Sequence, residues 1–326
     1  MYIEQKQLEN LRRLAAPGKV VVIYGARRTG KTTLLQEFLK GTDVPNLLVS
    51  GEDIAIQGYL SSRSVEKLKA FIGTASMLIV DEAQKVPDIG LNLKMIVDHI
   101  PGTTIVATGS SAFDLARNVG EPLTGRKFTL NLFPLAQMEI GRIEQRHETD
   151  ANLENRLVFG AYPEIVLMQD NRGRERNLKE IVSSYLYKDI LELDGVRHSA
   201  KICRYCFLDN GIRNALINNF NPLELRDDVG GLWENYLIVE RMKRQEYVGP
   251  SANNFFWRTY SRNEVDLVEE RGGRLFGYEM KWGKTRPRPP GEWKTAYPVE
   301  KLPSVGRALW AITGKIYQIN KDMLLR

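Results

Sequence analysis

The sequence contains no apolar run of about 18 residues or more, so it predicts no membrane-spanning helix and no membrane partner. Its opening residues are polar and lack the apolar core of a secretory signal. Cysteine is scarce: Cys203 and Cys206 have the spacing of half a zinc site or a redox pair, without a second Cys or His pair to complete it. Because Cys206 stands in an apolar stretch, a buried thiol is favoured. Together these features predict a cytoplasmic protein.

The excess of positive charge is small. The 46 Lys and Arg residues against 40 Asp and Glu give a net charge of +6 in 326 residues, a length that allows two domains. Residues 1–150 carry +1 of this charge and residues 151–326 carry +5. If the chain meets nucleic acid, the C-terminal half is therefore the predicted contact surface; a solvated basic face is the plainer interpretation.

Strands alternate with helices over the first 135 residues. Continuous apolar runs, typical of strands covered on both faces, occur at residues 19–24, 46–50, 77–80 and 103–108. Helical stretches at residues 31–40, 65–72 and 91–100 lie between them, and this order predicts an α/β fold with a parallel sheet and helices on both faces. A helical region follows, with its longest helix predicted from about residue 174 to 193. A further helix at 232–245 then precedes short strands near 254–260, 264–270 and 274–281, and a basic loop spans 284–290.

A phosphate-binding loop follows the first strand. Residues 25–32 read GARRTGKT, which fits Gly-x-x-x-x-Gly-Lys-Thr between an apolar strand and a helix. The glycines let backbone N–H groups turn towards phosphates, and the helix N-terminus adds its dipole. Lys31 is expected to reach the β- and γ-phosphates of ATP, and the Thr32 hydroxyl to ligate Mg²⁺. The predicted nucleotide-binding residues are Gly25, Ala26, Arg27, Arg28, Thr29, Gly30, Lys31, Thr32 and Thr33.

Two carboxylates end the third apolar run. Residues 77–82 read MLIVDE, so that Asp81 is predicted to hold Mg²⁺ and Glu82 to orient and polarise the attacking water. The fourth run ends beside Ser110, which is either a sensor of the γ-phosphate or part of a plain turn. The Asp81–Glu82 pair favours attack by water over a small-molecule kinase reaction. The sequence also lacks the Asn/Thr-Lys-x-Asp motif with which GTPases read their base.

A second set of carboxylates flanks a Gly-Gly turn at residues 272–273. If Arg271 pairs with Arg274 in a two-residue hairpin, Asp266 stands opposite Glu279 and Glu264 opposite Lys281 on one face. The other face is then the expected core side, and it collects Val265, Leu267, Phe276, Tyr278 and Met280. Opposed carboxylates repel, so either Lys281 or a bridging divalent metal is expected between them. The plainer alternative is a solvated face with a Glu264–Lys281 ion pair.

These motifs, with the segments LTGR at 123–126, FPL at 133–135, GAYPE at 160–164 and DNGI at 209–212, resemble a prokaryotic family of AAA-type P-loop ATPases. The resemblance implies an ATPase domain at 1–140, a helical region at 141–205 and a domain at 206–326 that looks like a PD-(D/E)xK nuclease, of restriction-endonuclease-like α+β fold. It also implies that Arg126 reaches the γ-phosphate of a neighbouring subunit, although a surface or strand-capping arginine is as well supported. A winged-helix segment usual in the family looks deleted near residues 195–203.

The same resemblance gives the hairpin a chemistry. PD-(D/E)xK nucleases hold a metal between two carboxylates beside a lysine, which here implies Asp266, Glu279 and Lys281, with Glu234 as an additional ligand. Three hypotheses follow. The leading one is an ATPase whose energy rearranges the C-terminal domain or bound DNA. The alternatives are a nucleotide-gated adaptor with slow turnover and an ATP-regulated, metal-dependent nuclease.

Overall fold

The computed structural model describes residues 2–109, 123–186, 208–249, 251–259, 263–282, 292–293 and 316–318. The chain divides into two compact units, one comprising residues 2–134 and the other beginning at Leu135. Ser110, Cys203, Cys206, the predicted winged-helix deletion and the basic loop at 284–290 lie outside the described residues. The three domains predicted from the sequence remain a prediction. None of the described helices is long and apolar enough to cross a membrane.

The first unit is built on a five-stranded parallel sheet, as the sequence predicts. Its strands run in the order β2-β3-β4-β1-β5. They are β1 (Val20–Tyr24), β2 (Asn46–Ser50), β3 (Met77–Asp81), β4 (Thr104–Gly109) and β5 (Lys127–Asn131). The continuous apolar sequence of β1 and the burial of every residue in β1 and β4 place these two strands inside the sheet.

Helices cover both faces of this sheet. They are α1 (Gln7–Leu14), α2 (Lys31–Lys40), α3 (Ile54–Leu60), α4 (Val65–Ile72) and α5 (Ile89–His99), with a 3₁₀ turn at Ala83–Lys85. Val20 and Val22 pack in one apolar cluster with residues of α4 and α5, whereas Val21 and Ile23 pack in another with residues of α1 and α2. The alternation of side chains along β1 therefore produces two cores.

The strand order decides where the polar motifs meet. Because β4 lies between β1 and β3, its carboxyl end stands between the glycine-rich loop after β1 and the acidic end of β3. Parallel strands bring their carboxyl ends to one edge of the sheet, and ligands bind there in open α/β sheets.

The second unit begins with helices. They are α6 (Gln137–Ile140), α7 (Arg146–Phe159), α8 (Pro163–Leu167), α9 (Asn171–Ile181), α10 (Asn210–Leu216) and α11 (Val229–Val248), with a π-helical turn at Val182–Leu186 and a 3₁₀ turn at Leu223–Leu225. The long helix predicted from about residue 174 is helical in its described part, but it is not one continuous α-helix. The α-helix ends at Ile181 and a π-helical turn follows, while residues 187–193 lie outside the described residues.

A four-stranded sheet completes the described part of this unit, in the order β6-β7-β8-β9. Its strands are β6 (Asn253–Arg258), β7 (Glu264–Arg271), β8 (Arg274–Glu279) and β9 (Ile316–Gln318), with β9 parallel to β8 and the other pairs antiparallel. The predicted hairpin register is confirmed as far as the ladder extends, from Arg271 opposite Arg274 to Leu267 opposite Tyr278.

The predicted core face of β7 is wrong at one position. Leu267 packs with Tyr278 and Met280 against the helices, but Val265 packs with Val268 and Trp293 in a separate cluster. The pairing of β6 with β7 shifts between Phe255 and Trp257, where β7 holds one extra residue. Such a β-bulge inverts the alternation of side chains, so Val265 and Leu267 no longer share a face.

Candidate functional site

The loop between β1 and α2 is a tight turn that depends on its glycines. The Thr29 hydroxyl donates to the carbonyl oxygen of Ala26 at 2.8 Å. Gly30, the N-cap of α2, has a φ of 98°, which a residue with a side chain rarely adopts. A Cβ atom on Gly25 would lie 2.6 Å from the carbonyl oxygen of Leu132, so this position also requires glycine. The first N–H groups of α2 consequently face the loop, as anion binding requires.

A residue far from the loop in sequence supports it. Gln5 is buried, and its Nε2 donates to the carbonyl oxygen of Thr29 at 2.9 Å. Its Oε1 lies 3.0 Å from where a Cβ on Gly30 would be. Sequence reasoning missed Gln5, because no motif marks a contact that is formed only when the N-terminal segment folds against the loop.

Lys31 lies at the centre of the site. Its Nζ donates to the carbonyl oxygens of Gly25 at 2.9 Å and Ala26 at 3.1 Å, and lies 4.0 Å from Glu82 Oε1. Burial lowers the pKa of Lys31, and the charges of Glu82 and Asp81 oppose this effect. The Lys31 amino group therefore stands between the loop and the acidic end of β3.

Asp81 joins three elements. Its Oδ2 accepts a hydrogen bond from the Thr32 hydroxyl at 2.6 Å, and its Oδ1 accepts from the Thr108 hydroxyl and from the N–H of Glu82. The two residues predicted to hold Mg²⁺, Thr32 and Asp81, are thus in direct contact. A hydroxyl and a carboxylate are oxygen ligands of the kind that Mg²⁺ takes, so this pair fits the cation.

Glu82 is held in an uncommon conformation. Its φ of 51° lies in the left-handed region, where residues other than glycine are rare. Its N–H group lies 3.1 Å from the Thr108 hydroxyl, and Gln84 Nε2 donates to its Oε2 at 2.6 Å. A Cβ on Gly51 would lie 2.4 Å from the carbonyl oxygen of Glu82, so glycine at 51 makes this backbone path possible.

Thr108 is the second residue that sequence reasoning missed. Ser110, for which the sequence left a sensor and a plain turn open, lies outside the described residues. Thr108 is fully buried at the end of β4 and contacts both Asp81, the last residue of β3, and the N–H of Glu82 that follows it. The available signal was a hydroxyl residue at the end of an apolar strand next in sequence to the acidic one.

Arg126 lies at the other edge of the sheet. Its carbonyl oxygen accepts a hydrogen bond from the N–H of Val20, the first residue of β1, and its guanidinium pairs with Asp98 of α5. The glycine-rich loop follows the other end of β1. At about 3.3 Å per residue, the two ends of this strand are about 13 Å apart. Arg126 therefore does not join the phosphate loop of its own chain, and action on a neighbouring subunit remains a prediction.

The other predicted loop residues lie towards the surface. Ala26 and Thr33 are exposed, and Arg27 and Arg28 are half-buried. Arg28 has a left-handed φ of 62°, so it also takes part in the turn of the loop.

The second unit brings the predicted hairpin residues close to α11. Glu234 of α11 interacts electrostatically with Asp266, Lys281, Glu264 and Glu279. Burial, reinforced by Asp266, raises the pKa of Glu234 to about 7. Asp266 is also buried, and burial raises its pKa to about 6 although its Oδ2 accepts the N–H of Met280 at 2.5 Å. These carboxylates therefore resist ionisation where they stand.

Lys281 pairs differently from the plainer expectation. Its Nζ lies 2.7 Å from Glu279 Oε1, whereas Glu264 is exposed, because β8 ends at Glu279 and Lys281 lies beyond the strand. The other oxygen, Glu279 Oε2, is buried and has no hydrogen-bond partner among the described residues. Across those same residues, no group of three or more His, Cys, Asp or Glu side chains is arranged to hold a metal ion.

Three segments of the chain match known families. Residues 17–141 match the AAA domain family. Residues 150–206 and 229–320 match two families described as domains of unknown function, DUF8612 and DUF4143.

Relatives are uncharacterized proteins. One from Methanocaldococcus jannaschii is 28% identical over 295 residues, which cover 83% of this chain and 64% of that protein. The chain thus spans slightly less than two thirds of this relative. One from Mycobacterium tuberculosis is 22% identical over 348 residues, covering 86% of this chain and 74% of that protein.

Solved structures show a weaker likeness. A replication initiator DnaA bound to AMPPCP and single-stranded DNA is 16% identical, with a TM-score of 0.38 over 75% of this chain and 91% of that chain. A Walker-type ATPase of Pyrococcus abyssi is 15% identical, with a TM-score of 0.38 over 79% of this chain and 90% of that chain. At these TM-scores the likeness supports no inference about function.

The family match and the geometry of the loop agree. Over residues 17–141 the first unit is similar to AAA-type P-loop ATPase domains. The likeness of the C-terminal part to nucleases is not reproduced by these comparisons, since the family matched there has no assigned function.

Proposed function

We propose that the chain binds Mg²⁺-ATP at the loop between β1 and α2 and hydrolyses it, with Glu82 as the base that activates water. The observation that carries the proposal is the convergence of four side chains from separate motifs. Thr32 Oγ1 lies 2.6 Å from Asp81 Oδ2, and Lys31 Nζ lies 4.0 Å from Glu82 Oε1. Cation, hydroxyl, metal-ligand carboxylate and base are the parts that P-loop ATPases use.

Binding follows from the loop and the helix behind it. Backbone N–H groups at the start of α2 donate to the phosphates, and Lys31 neutralises the β- and γ-phosphate charge. Thr32 and Asp81 would hold Mg²⁺, which supplies further neutralisation of the phosphate oxygens when bound. Thr108 keeps Asp81 oriented through its hydroxyl.

Hydrolysis requires a base beside the γ-phosphate. The Glu82 carboxylate accepts a proton from the attacking water, which then forms the new P–O bond while the bond to ADP breaks. The left-handed backbone of Glu82 and its contacts with Thr108 and Gly51 fix the point after β3 from which the Glu82 side chain starts.

ATP turnover by the purified full chain tests this proposal. We expect Glu82→Gln to bind ATP normally but to lose turnover by at least about a hundredfold, the usual contribution of a general base. Lys31→Ala should lose ATP binding. Glu52→Gln, the same substitution at an exposed glutamate near the same sheet edge, is the matched control and should turn over normally. Absence of Mg²⁺-dependent turnover in wild type would contradict the proposal and leave a nucleotide-gated adaptor.

The energy of hydrolysis is coupled to rearrangement of the second unit or of bound DNA. The net charge of +5 on residues 151–326 supports a nucleic-acid partner. The test is stimulation of turnover by linear DNA, which we expect to weaken steeply as salt increases. Stimulation that is absent at low salt would exclude DNA as the partner that hydrolysis acts on.

A second metal and nuclease chemistry at Asp266, Glu279 and Lys281 remain a separate candidate. Two features favour a positively charged ligand there. Glu279 Oε2 is buried without a hydrogen-bond partner in the part of the chain that the structure describes, and the pKa values of Glu234 and Asp266 are raised. Incubation of linear DNA with Mg²⁺ or Mn²⁺ tests it. Cleavage by wild type that Asp266→Asn abolishes would support the candidate, and absence of cleavage would favour a degenerate site.

The role of Arg126 in a neighbouring subunit is tested by mixing two inactive variants. Arg126→Ala keeps Glu82, and Glu82→Gln keeps Arg126. If the arginine acts on a neighbour, the mixture regains turnover that neither variant has alone. Normal turnover of Arg126→Ala by itself would instead mean that its pairing with Asp98 is structural.

A further inference from the structure

The backbone of Glu82 is fixed from several sides. Its N–H group contacts Asp81 Oδ1 and the Thr108 hydroxyl, each at 3.1 Å. Its carbonyl oxygen accepts the N–H of Lys85 at 3.0 Å and lies against Gly51. These contacts determine where the Glu82 side chain starts, but not the rotation about its three side-chain bonds.

The carboxylate itself is held by Gln84. Gln84 Nε2 donates to Glu82 Oε2 at 2.6 Å, while Glu82 Oε1 lies 4.0 Å from Lys31 Nζ. The two oxygens therefore have different surroundings. Oε2 accepts a hydrogen bond from an amide, and Oε1 faces the lysine of the phosphate loop.

Gln84 stands on a rigid support. It belongs to the 3₁₀ turn at Ala83–Lys85, and Ala83 and Val86 on either side of it are fully buried in an apolar cluster of the first unit. The turn therefore cannot shift without disturbing the core, so the point from which the Gln84 side chain starts is fixed relative to the Glu82 backbone, and the amide reaches Glu82 Oε2 from there.

We infer that Gln84 is a positioning residue, which holds Glu82 Oε2 and leaves Oε1 as the oxygen that receives the proton of the attacking water. The inference rests on the proposed ATPase function and adds a residue that neither the phosphate loop nor the acidic strand motif includes. A neutral amide suits the role, because it donates a hydrogen bond without bringing a charge that would compete with Lys31 or repel Glu82.

Substitution of Gln84 provides the test in the full chain. Gln84→Leu keeps most of the volume and removes the donor, and Gln84→Glu places a second carboxylate beside the first. We expect kcat to fall about tenfold to a hundredfold in both, since a small misplacement of a catalytic group has effects of this size. The Kd of a fluorescent ATP analogue and the Tm should stay at wild-type values. Gln36→Leu, the same change at an exposed position of α2, should turn over normally.

A double-mutant cycle separates positioning from general structure. If Gln84 acts through Glu82, Gln84→Leu causes no further loss when added to Glu82→Gln, measured by single-turnover hydrolysis at high enzyme concentration. An equal loss in both backgrounds, or a fall in Tm together with weaker ATP binding, would overturn the inference.

The remaining outcomes distinguish the two proposals. Normal turnover of Gln84→Leu in a chain whose wild type hydrolyses ATP would overturn the role of Gln84 alone. A wild type without Mg²⁺-dependent turnover would overturn the ATPase proposal, and the role of Gln84 with it.

Discussion

The two carboxylate clusters of this chain are stabilised in different ways. In the first unit, Asp81 accepts hydrogen bonds from two hydroxyls and a backbone N–H, and Glu82 accepts one from an amide. In the second unit, Asp266 accepts the N–H of Met280, and Glu279 Oε2 is buried without a hydrogen-bond partner among the described residues. The protein therefore provides hydrogen-bond donors to the first cluster. In the second cluster, burial opposes ionisation of the carboxyl groups.

This difference follows from how each cluster is encoded. Asp81 and Glu82 are adjacent at one strand end, and their donors stand at the ends of neighbouring elements of one sheet. The second cluster joins a helix and both strands of a hairpin, with Glu234 and Asp266 far apart in sequence. Its raised pKa values mean that a proton or another positive charge stabilises it, so its state depends on what surrounds it.

The largest expected effect is on ATP turnover, which should depend on the first cluster and not on the second. Asp81→Asn removes a charge that the proposed Mg²⁺ site needs, so ATP turnover should fall by about a hundredfold to a thousandfold. Asp266→Asn, the same substitution in the second cluster, should leave basal turnover unchanged. Steady-state hydrolysis at saturating Mg²⁺-ATP measures both. An equal loss in Asp266→Asn would mean that the clusters are coupled and that the contrast between them is wrong.

The next effect concerns stability in the second unit, where the segments at 160–164 and 209–212 hold each other. Asp209 Oδ2 accepts the N–H of Ala161 at 2.7 Å, and Asp209 Oδ1 accepts the N–H of Ile212, which caps α10. Gly160 has φ of 73°, and a Cβ there would lie 1.9 Å from Asp209 Oδ1. Gly160→Ala should therefore lower the free energy of unfolding by about 3 kcal/mol.

The control for Gly160→Ala is Gly231→Ala. Gly231 is in α11, and nothing lies within 4 Å of a Cβ there, so alanine should be neutral or slightly stabilising. Urea unfolding of the two variants and wild type gives the comparison. A Gly160→Ala variant as stable as wild type would show that the two segments do not depend on this close approach.

Features encoded by neighbouring residues could be predicted from the sequence. The phosphate loop, the Asp81–Glu82 pair and the hairpin register around Gly272 and Gly273 are each short, contiguous patterns, and the structure places them as expected. The parallel sheet followed from the repeated apolar runs in the same way.

Features that depend on tertiary contacts could not be predicted from the sequence. Thr108 was overlooked in favour of Ser110, because which residue at the end of β4 faces Asp81 depends on its register with β3. Gln5 supports the loop from a segment without any motif. The wrong face of Val265 comes from a bulge in β7 that simple alternation does not reveal.

A smaller effect, on stability, depends on pH and involves the buried carboxylate of Asp209, which has a structural role. Burial raises the pKa of Asp209 from its ordinary 3.8 to about 6, although backbone donors and Lys243 lower it in part. The folded chain therefore loses stability as pH rises from about 4 to about 6 and carries the full cost above that range. Asp209→Asn cannot ionise, so its stability relative to wild type should improve by about 2 to 3 kcal/mol between pH 4 and pH 7.

The pH dependence isolates ionisation from the lost hydrogen bond. Asparagine offers one acceptor oxygen instead of two, a cost that is the same at every pH. Urea unfolding of wild type and Asp209→Asn across this range measures the change, with Asp227→Asn at an exposed position as control. A difference that stays constant with pH would mean that Asp209 is ionised as readily in the folded chain as in the unfolded one.

The smallest effect tests how the first cluster obtains its donors. Thr108→Val keeps the shape of the buried side chain but removes the hydroxyl that contacts Asp81 and the N–H of Glu82. Because Asp81 retains its contacts with Thr32 and Glu82, turnover should fall only about tenfold, with a higher Mg²⁺ concentration needed for half-maximal rate. Thr104→Val, at the opposite end of the same strand, is the matched control. Unchanged Mg²⁺ dependence in Thr108→Val would mean that Asp81 is oriented without Thr108, by the Thr32 hydroxyl and the N–H of Glu82.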